Sequence, residues 1–213
     1  MISIKYRCLF VHVPKTGGTS LKRYLVGYDL TKCWQPSFFE AHLLYTHRSV
    51  AQLRRELNKL QIESANFFQF AFVRNPWDRL LSAFFYLSAD GGGGVEALPF
   101  VAAIKYFRGD FQRFVCEGLF ELTPKIPVLF PQHVWTHDDI DGQPLDFIGR
   151  FEKLAEDVAI VAQRLGLETS EPLPHLRACP HAHYTEYYND ETCKRVAEIY
   201  AQDIKLFDYR FGE

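Results

Sequence analysis

The chain reads as an α/β protein, with a central, mostly parallel sheet flanked by helices. Three stretches predict it. Arg7–Val13, Asn66–Val73 and Leu145–Phe151 are apolar and β-prone, and each runs through a short polar or Pro/Gly-bearing link into a helical pattern. Strands that alternate with helices in this way make parallel sheets with covered faces. The pattern places all 213 residues in one domain, 1–213, long enough for a sizeable core.

The first strand must end at Pro14, which has no N–H to give to a ladder. Pro14-Lys15-Thr16-Gly17-Gly18-Thr19-Ser20 follows. Glycines there let backbone N–H groups turn towards a ligand. Thr19 and Ser20 are cap-type residues opening a helix through Leu21–Leu25. A helix start offers unpaired donors and partial positive charge to an anion, and Lys15 adds a full charge. The dipole supplies only about 0.3–1 kcal/mol, so the donors and Lys15 must carry most of the binding. In a nucleotide P-loop the lysine follows the glycines; here Lys15 precedes them. An ordinary Gly-containing strand-to-helix turn is the plain alternative.

The second strand ends at Arg74, at the carboxyl edge where open α/β sheets bind ligands. Pro76 suits a first helical position, and Trp77–Leu87 continues as helix. Ser82 falls eight residues after Arg74, about two turns along. A guanidinium and a hydroxyl on one side of a helix can share a phosphate. An ion pair of Arg74 with Asp78, or of Asp78 with Arg79, with Ser82 merely packed, is the competing reading.

Later elements follow the same rules. Arg48–Leu57 is amphipathic, with apolar residues at Val50, Leu53 and Leu57, and His47 stands at its start. Leu98–Leu119 reads as helix interrupted at Gly109, Leu154–Leu165 as helix ended by Gly166, and Asp190–Tyr200 as helix. Asp90–Gly94 is the low-complexity stretch, either a connector or a lid. Most aromatics of Phe67–Tyr86 belong in a core, with a few available to stack on a ring.

These residues resemble the PAPS-dependent sulfotransferases, in the carbohydrate-type branch; PAPS is 3′-phosphoadenosine 5′-phosphosulfate. Pro14–Ser20 looks like the family's 5′-phosphosulfate loop and Arg74–Ser82 like its 3′-phosphate loop. Similarity continues through Pro131-Gln132-His133, Leu145–Glu152, Tyr187–Asp190 and Asp203–Phe211. The resemblance implies a P-loop-kinase-like sulfotransferase fold and transfer of a sulfuryl group from PAPS to a hydroxyl of a carbohydrate or similar acceptor. It implies that Lys15 contacts the 5′-phosphate and the leaving oxygen, and that Thr16, Gly17, Gly18, Thr19 and Ser20 line that loop. It implies that Arg74 and Ser82 hold the 3′-phosphate. Where the family often has Asn and Ser, this chain has Arg177 and Cys179, so Arg177 is an open position.

A neutral-pH base suits this chemistry, and histidine fits. The family's histidine falls between the two loops, where His42 and His47 lie. Distance to Arg74 and the helix that follows favour His47; His42 is the alternative and Glu40 a weaker candidate. No metal is required in principle. A nucleotide-dependent kinase, needing ATP and Mg²⁺, and a non-catalytic PAPS- or sugar-binding module are the other classes to exclude.

Net charge is −2 and pI near 6.4, without the basic excess of a nucleic-acid binder. A local positive pocket from Lys15, Arg74, Arg79 or Arg177 suffices for an anionic nucleotide. Five scattered cysteines show no zinc-like spacing, and reduced thiols are expected. His181 and His183 near Cys179 lack helix spacing and are not read as a metal site. No stretch spans a bilayer and no signal peptide is visible. Eukaryotic members are typically Golgi-anchored, so a bacterial-type, soluble, cytoplasmic enzyme is expected. The sequence leaves the oligomeric state open.

Overall fold

In the computed structural model, residues 1–26, 47–88, 98–138, 142–167 and 182–213 are described. In chain order the principal elements are β1 (Ile2–Ser3), β2 (Cys8–Val11), α1 (Gly18–Val26), α2 (Val50–Lys59), β3 (Phe68–Val73), α3 (Pro76–Ser88), α4 (Leu98–Lys105), β4 (Phe147–Arg150), α5 (Leu154–Arg164), α6 (Asp190–Ile199) and α7 (Ala201–Phe207). They form two compact units, Met1–Val73 with Val134–Arg177, and Arg74–His133 with Ala178–Glu213.

The first unit holds a four-stranded sheet in the order β1-β2-β3-β4. β1 runs antiparallel to β2, whereas β2, β3 and β4 are parallel, with Phe10 beside Phe70 and Val73 beside Arg150. Every residue of β2 is buried, as a central parallel strand requires. On one face Phe10, Phe70 and Phe72 pack with Leu21, Val158, Val161 and Ala162. Gly149 of β4 is glycine because of this layer: a Cβ there would come 2.5 Å from the Phe72 ring.

α2 packs against β2 through buried Val50, Leu53 and Leu57. Its start is a capping box: Ser49 Oγ accepts from Gln52 N at 3.3 Å, and Gln52 Oε1 accepts from Ser49 N at 2.9 Å. The helix therefore begins at Val50, later than the expected Arg48. Arg54 shares the buried face, donating from Nε to Gln69 Oε1 at 2.9 Å and from Nη2 to Gln143 O at 3.0 Å, with Asp138 at 3.7 Å from Nη1. Its charge is thus matched and its donors used, which a buried guanidinium needs.

The second unit is built around α3. Trp77, Leu80, Leu81, Phe84 and Leu87 are buried against Phe107, Phe111, Phe114, Leu119, Val196 and Tyr200. The interruption expected at Gly109 within 98–119 is present: α4 ends at Lys105, Gly109 turns with φ +81, helix resumes at Phe111, and Phe114–Gly118 forms a π-turn. Gly118 accommodates the Phe107 ring, which a Cβ would approach to 2.4 Å. No described helix is long and apolar enough to cross a membrane.

Candidate functional site

The loop after β2 is shaped by its own backbone. Thr16 Oγ1 donates to Val13 O at 2.9 Å and closes the turn. Lys15 (φ 68) and Gly17 (φ 77) on either side of Thr16 are left-handed. That region costs an ordinary L-residue about 1–2 kcal/mol, so a lysine held there is a strained residue at the loop's tip. α1 starts at Gly18, and Leu21 N already donates to Gly17 O at 3.1 Å. Thr19 and Ser20 therefore sit inside the first turn instead of capping it. The N–H groups of Gly18, Thr19 and Ser20 are the first-turn donors that no residue within α1 can satisfy.

Each glycine has its own reason. Gly17 needs the positive φ, and a Cβ there would meet Leu154 at 2.9 Å and Phe151 at 3.2 Å. Gly18 has no positive φ; a Cβ would lie 1.8 Å from His12 Nε2. Lys15 is half-buried, Thr19 exposed, and Thr16 and Ser20 buried.

His47 stands in the same unit. Its Nδ1 lies 2.8 Å from the backbone oxygen of His12. A carbonyl only accepts, so Nδ1 carries the proton and Nε2 is the basic nitrogen of the neutral ring. The His47 ring is 4.2 Å from the His12 ring and 6.2 Å from Trp135, centroid to centroid. His42 and Glu40 lie outside the described residues, as do Gly91–Gly94, Arg177 and Cys179.

The second unit carries Arg74 and Ser82, both buried. Arg74 Nε donates to Asp78 Oδ2 at 2.7 Å, so the ion pair that the sequence also allowed is present. Pro76 is the first residue of α3, as expected, and Ser82 lies two turns along. Arg74 is gripped through its backbone: Gln132 Oε1 accepts from its N–H at 2.9 Å and Gln132 Nε2 donates to its carbonyl at 2.8 Å. The Gln132 backbone N–H in turn donates to Asp203 Oδ2 at 2.6 Å. Asp203 also accepts from His133 N at 2.9 Å and His133 Nδ1 at 2.7 Å.

Arg79 does not supply positive charge to an open pocket. It is 1 % exposed, donates to Val128 O at 3.1 Å and Phe130 O at 2.7 Å, and lies over the Tyr200 ring. Its work is to hold the Pro127–Pro131 segment. Among the described residues no group of His, Cys, Asp and Glu is arranged to hold a metal, and Cys8, Cys116 and Cys193 carry thiols.

Two residues at these sites escaped the sequence reading, His12 and Gln132. A histidine at the end of a buried apolar strand was the available signal for the first. For the second it was the Pro-Gln-His tripeptide, to which the resemblance attached no role.

Residues 1–91 match the model of the sulfotransferase family. The matched span includes Lys15–Ser20, His47, Arg74 and Ser82. No match was found among curated proteins.

Proposed function

We propose that the chain is a PAPS-dependent sulfotransferase, one domain over residues 1–213, that moves a sulfuryl group to a hydroxyl of a carbohydrate acceptor and releases 3′,5′-ADP. The observation that carries the reading is the His47 Nδ1 contact with the His12 carbonyl, at 2.8 Å. It leaves a neutral imidazole whose basic nitrogen is Nε2, in the same unit as a loop whose helix start suits an anion. The residues present fit the donor: Lys15 brings a positive charge to the loop before α1, and the first-turn N–H groups of α1 suit a phosphate.

PAPS supplies the activated group: the acceptor oxygen bonds to its sulfur as the sulfur–oxygen bond to the 5′-phosphate breaks. His47 Nε2 takes the acceptor's hydroxyl proton. Lys15 offsets the negative charge growing on the departing phosphate oxygen, and the first-turn amides of α1 share it. Arg74 and Ser82 take the 3′-phosphate and so separate PAPS from nucleotides lacking one. Asp78, by holding Arg74 Nε, fixes the plane of the guanidinium. The match over residues 1–91 supports the transferase class; the donor, the carbohydrate acceptor and a cytoplasmic setting are our reading of the resemblance.

Calorimetric titration with 3′,5′-ADP and with 5′-AMP, without metal, tests it on wild type and Arg74→Ala. A clear preference for 3′,5′-ADP that disappears in Arg74→Ala is the expected result. Equal or absent binding of both overturns it, and binding of ATP only with Mg²⁺ would turn the assignment to a kinase. Tight 3′,5′-ADP binding with no turnover on any hydroxyl acceptor would make the chain a binding module instead.

A further inference from the structure

His12 and the missing side chain of Gly18 occupy one space. A Cβ on Gly18 would lie 1.8 Å from Nε2 and 2.0 Å from Cδ2 of His12, far inside van der Waals contact. The His12 ring therefore covers the first residue of α1. It is 7 % exposed and stacks on Phe10, at 5.7 Å and an interplanar angle of 20°. It also meets the His47 ring at 4.2 Å. One residue thus touches the base twice, through its carbonyl at Nδ1 and through its ring, and touches the anion loop once.

We propose that His12 is a positioning residue that sets the base against the donor loop, and that Gly18 is glycine in order to admit its ring. The proposal rests on His47 being the base. The carbonyl fixes which nitrogen of His47 is basic, and the imidazole of His12 is the spacer that fixes where that nitrogen stands relative to the start of α1. The ring does this by shape: Phe10 and the backbone at Gly18 back it on one side, and His47 leans on it, with Trp135 at 6.2 Å from the His47 ring. Without the ring, His47 keeps its hydrogen bond but loses the surface that holds its tilt. Misplacing a catalytic group by about 1 Å can cost on the order of 10²-fold in rate, and residues that lock such groups are the usual means of preventing it.

The test is a double-substitution cycle on the full chain with His12→Ala, Gly18→Ala and both together. His12→Ala is expected to lower kcat by about 10²-fold while the Kd for 3′,5′-ADP stays within about threefold, because the loop's own donors remain. Gly18→Ala is expected to lower kcat as well, since its methyl drives the His12 ring towards His47. In the double variant the methyl enters vacated space, so the second substitution costs almost nothing beyond the first. Wild-type kcat in His12→Ala, or losses that multiply in the double variant, would overturn the proposal. The His47 ring, read by nitrogen-15 NMR of the imidazoles without ligand, gives a readout that needs no turnover. Wild type and His12→Ala should both show the form protonated on Nδ1, because the carbonyl remains, but in His12→Ala the His47 ring signals should shift or broaden as the neighbouring ring is lost; a His47 signal unchanged in position and width counts against the role. If His12→Ala does not fold, Gly18→Ala reads the same coupling from the other side. Failure of 3′,5′-ADP to bind wild type would defeat the proposed function and leave the NMR result to judge this one.

Discussion

The Gln132 side chain grips Arg74 by both of its backbone polar groups, accepting from the N–H at 2.9 Å and donating to the carbonyl at 2.8 Å. Gln132 is fully buried, and its own N–H is tied to the carboxylate of Asp203, also fully buried. The backbone of Arg74 is therefore held in place within the second unit. Gln132→Ala should strand two buried groups and cost on the order of 1–3 kcal/mol of stability. It should also weaken 3′,5′-ADP at least tenfold while leaving 5′-AMP unchanged, because in the proposed function only the 3′-phosphate depends on Arg74. Thermal denaturation and calorimetry measure the two effects. Loss of stability with full nucleotide selectivity would reduce Gln132 to a structural role.

Lys15 makes a sharper prediction, because its conformation and its chemistry pull in opposite directions. With φ 68 it occupies a region that glycine enters freely. Lys15→Gly should relieve strain of about 1–2 kcal/mol, less the extra freedom of glycine in the unfolded chain. The expected net is unchanged to slightly raised thermal stability, with kcat reduced at least tenfold because, in the proposed function, the leaving oxygen loses its cation. Lys15→Ala should lose the same activity without the gain in stability. A clear fall in stability in Lys15→Gly would show that the side chain, not the loop backbone, holds this turn.

His47→Ala should lower kcat by about 10²–10⁴-fold, the usual worth of a general base, with nucleotide affinity retained. His42→Ala, measured beside it, should keep most of the wild-type kcat. The reverse outcome would transfer the role to His42.

Much of this was legible in the residues, for physical reasons. Apolar runs ended by Pro14 and by Arg74-Asn75-Pro76 located β2 and β3, since proline cannot join a ladder and both strands are covered on two faces. Gly109 and Gly166 marked helix ends because both need positive φ. What could not be read depends on partners distant in sequence. Arg79 looked like a candidate anion arm until its guanidinium was found on the carbonyls of Val128 and Phe130. Gly18 looked like a second flexible loop residue, yet it is glycine because the ring of His12 stands where its Cβ would be. Periodicity reports which face is buried; it does not report which carbonyl a buried polar group will find.

Tyr200 carries the last prediction, on pH. It is fully buried in the second unit, donates its hydroxyl to Leu129 O at 2.8 Å, and lies against the Arg79 guanidinium. Burial raises its pKa from 10.0 to about 12, although the Arg79 charge pulls the other way. Tyr188 is raised for the same first cause. In the folded chain the phenol thus holds its proton where the unfolded chain has released it. The stabilisation is fully present below pH 10 and is lost as pH rises towards 12, because the unfolded state binds fewer protons across that window. A two-unit shift corresponds to on the order of 2–3 kcal/mol at the upper end. Denaturation midpoints measured from pH 8 to 12 should be level at first and then fall. Tyr200→Phe should start lower, having lost the bond to Leu129 O, and then fall less steeply. If both proteins lose stability in parallel above pH 10, the alkaline transition belongs to other groups and the phenol of Tyr200 does not govern it.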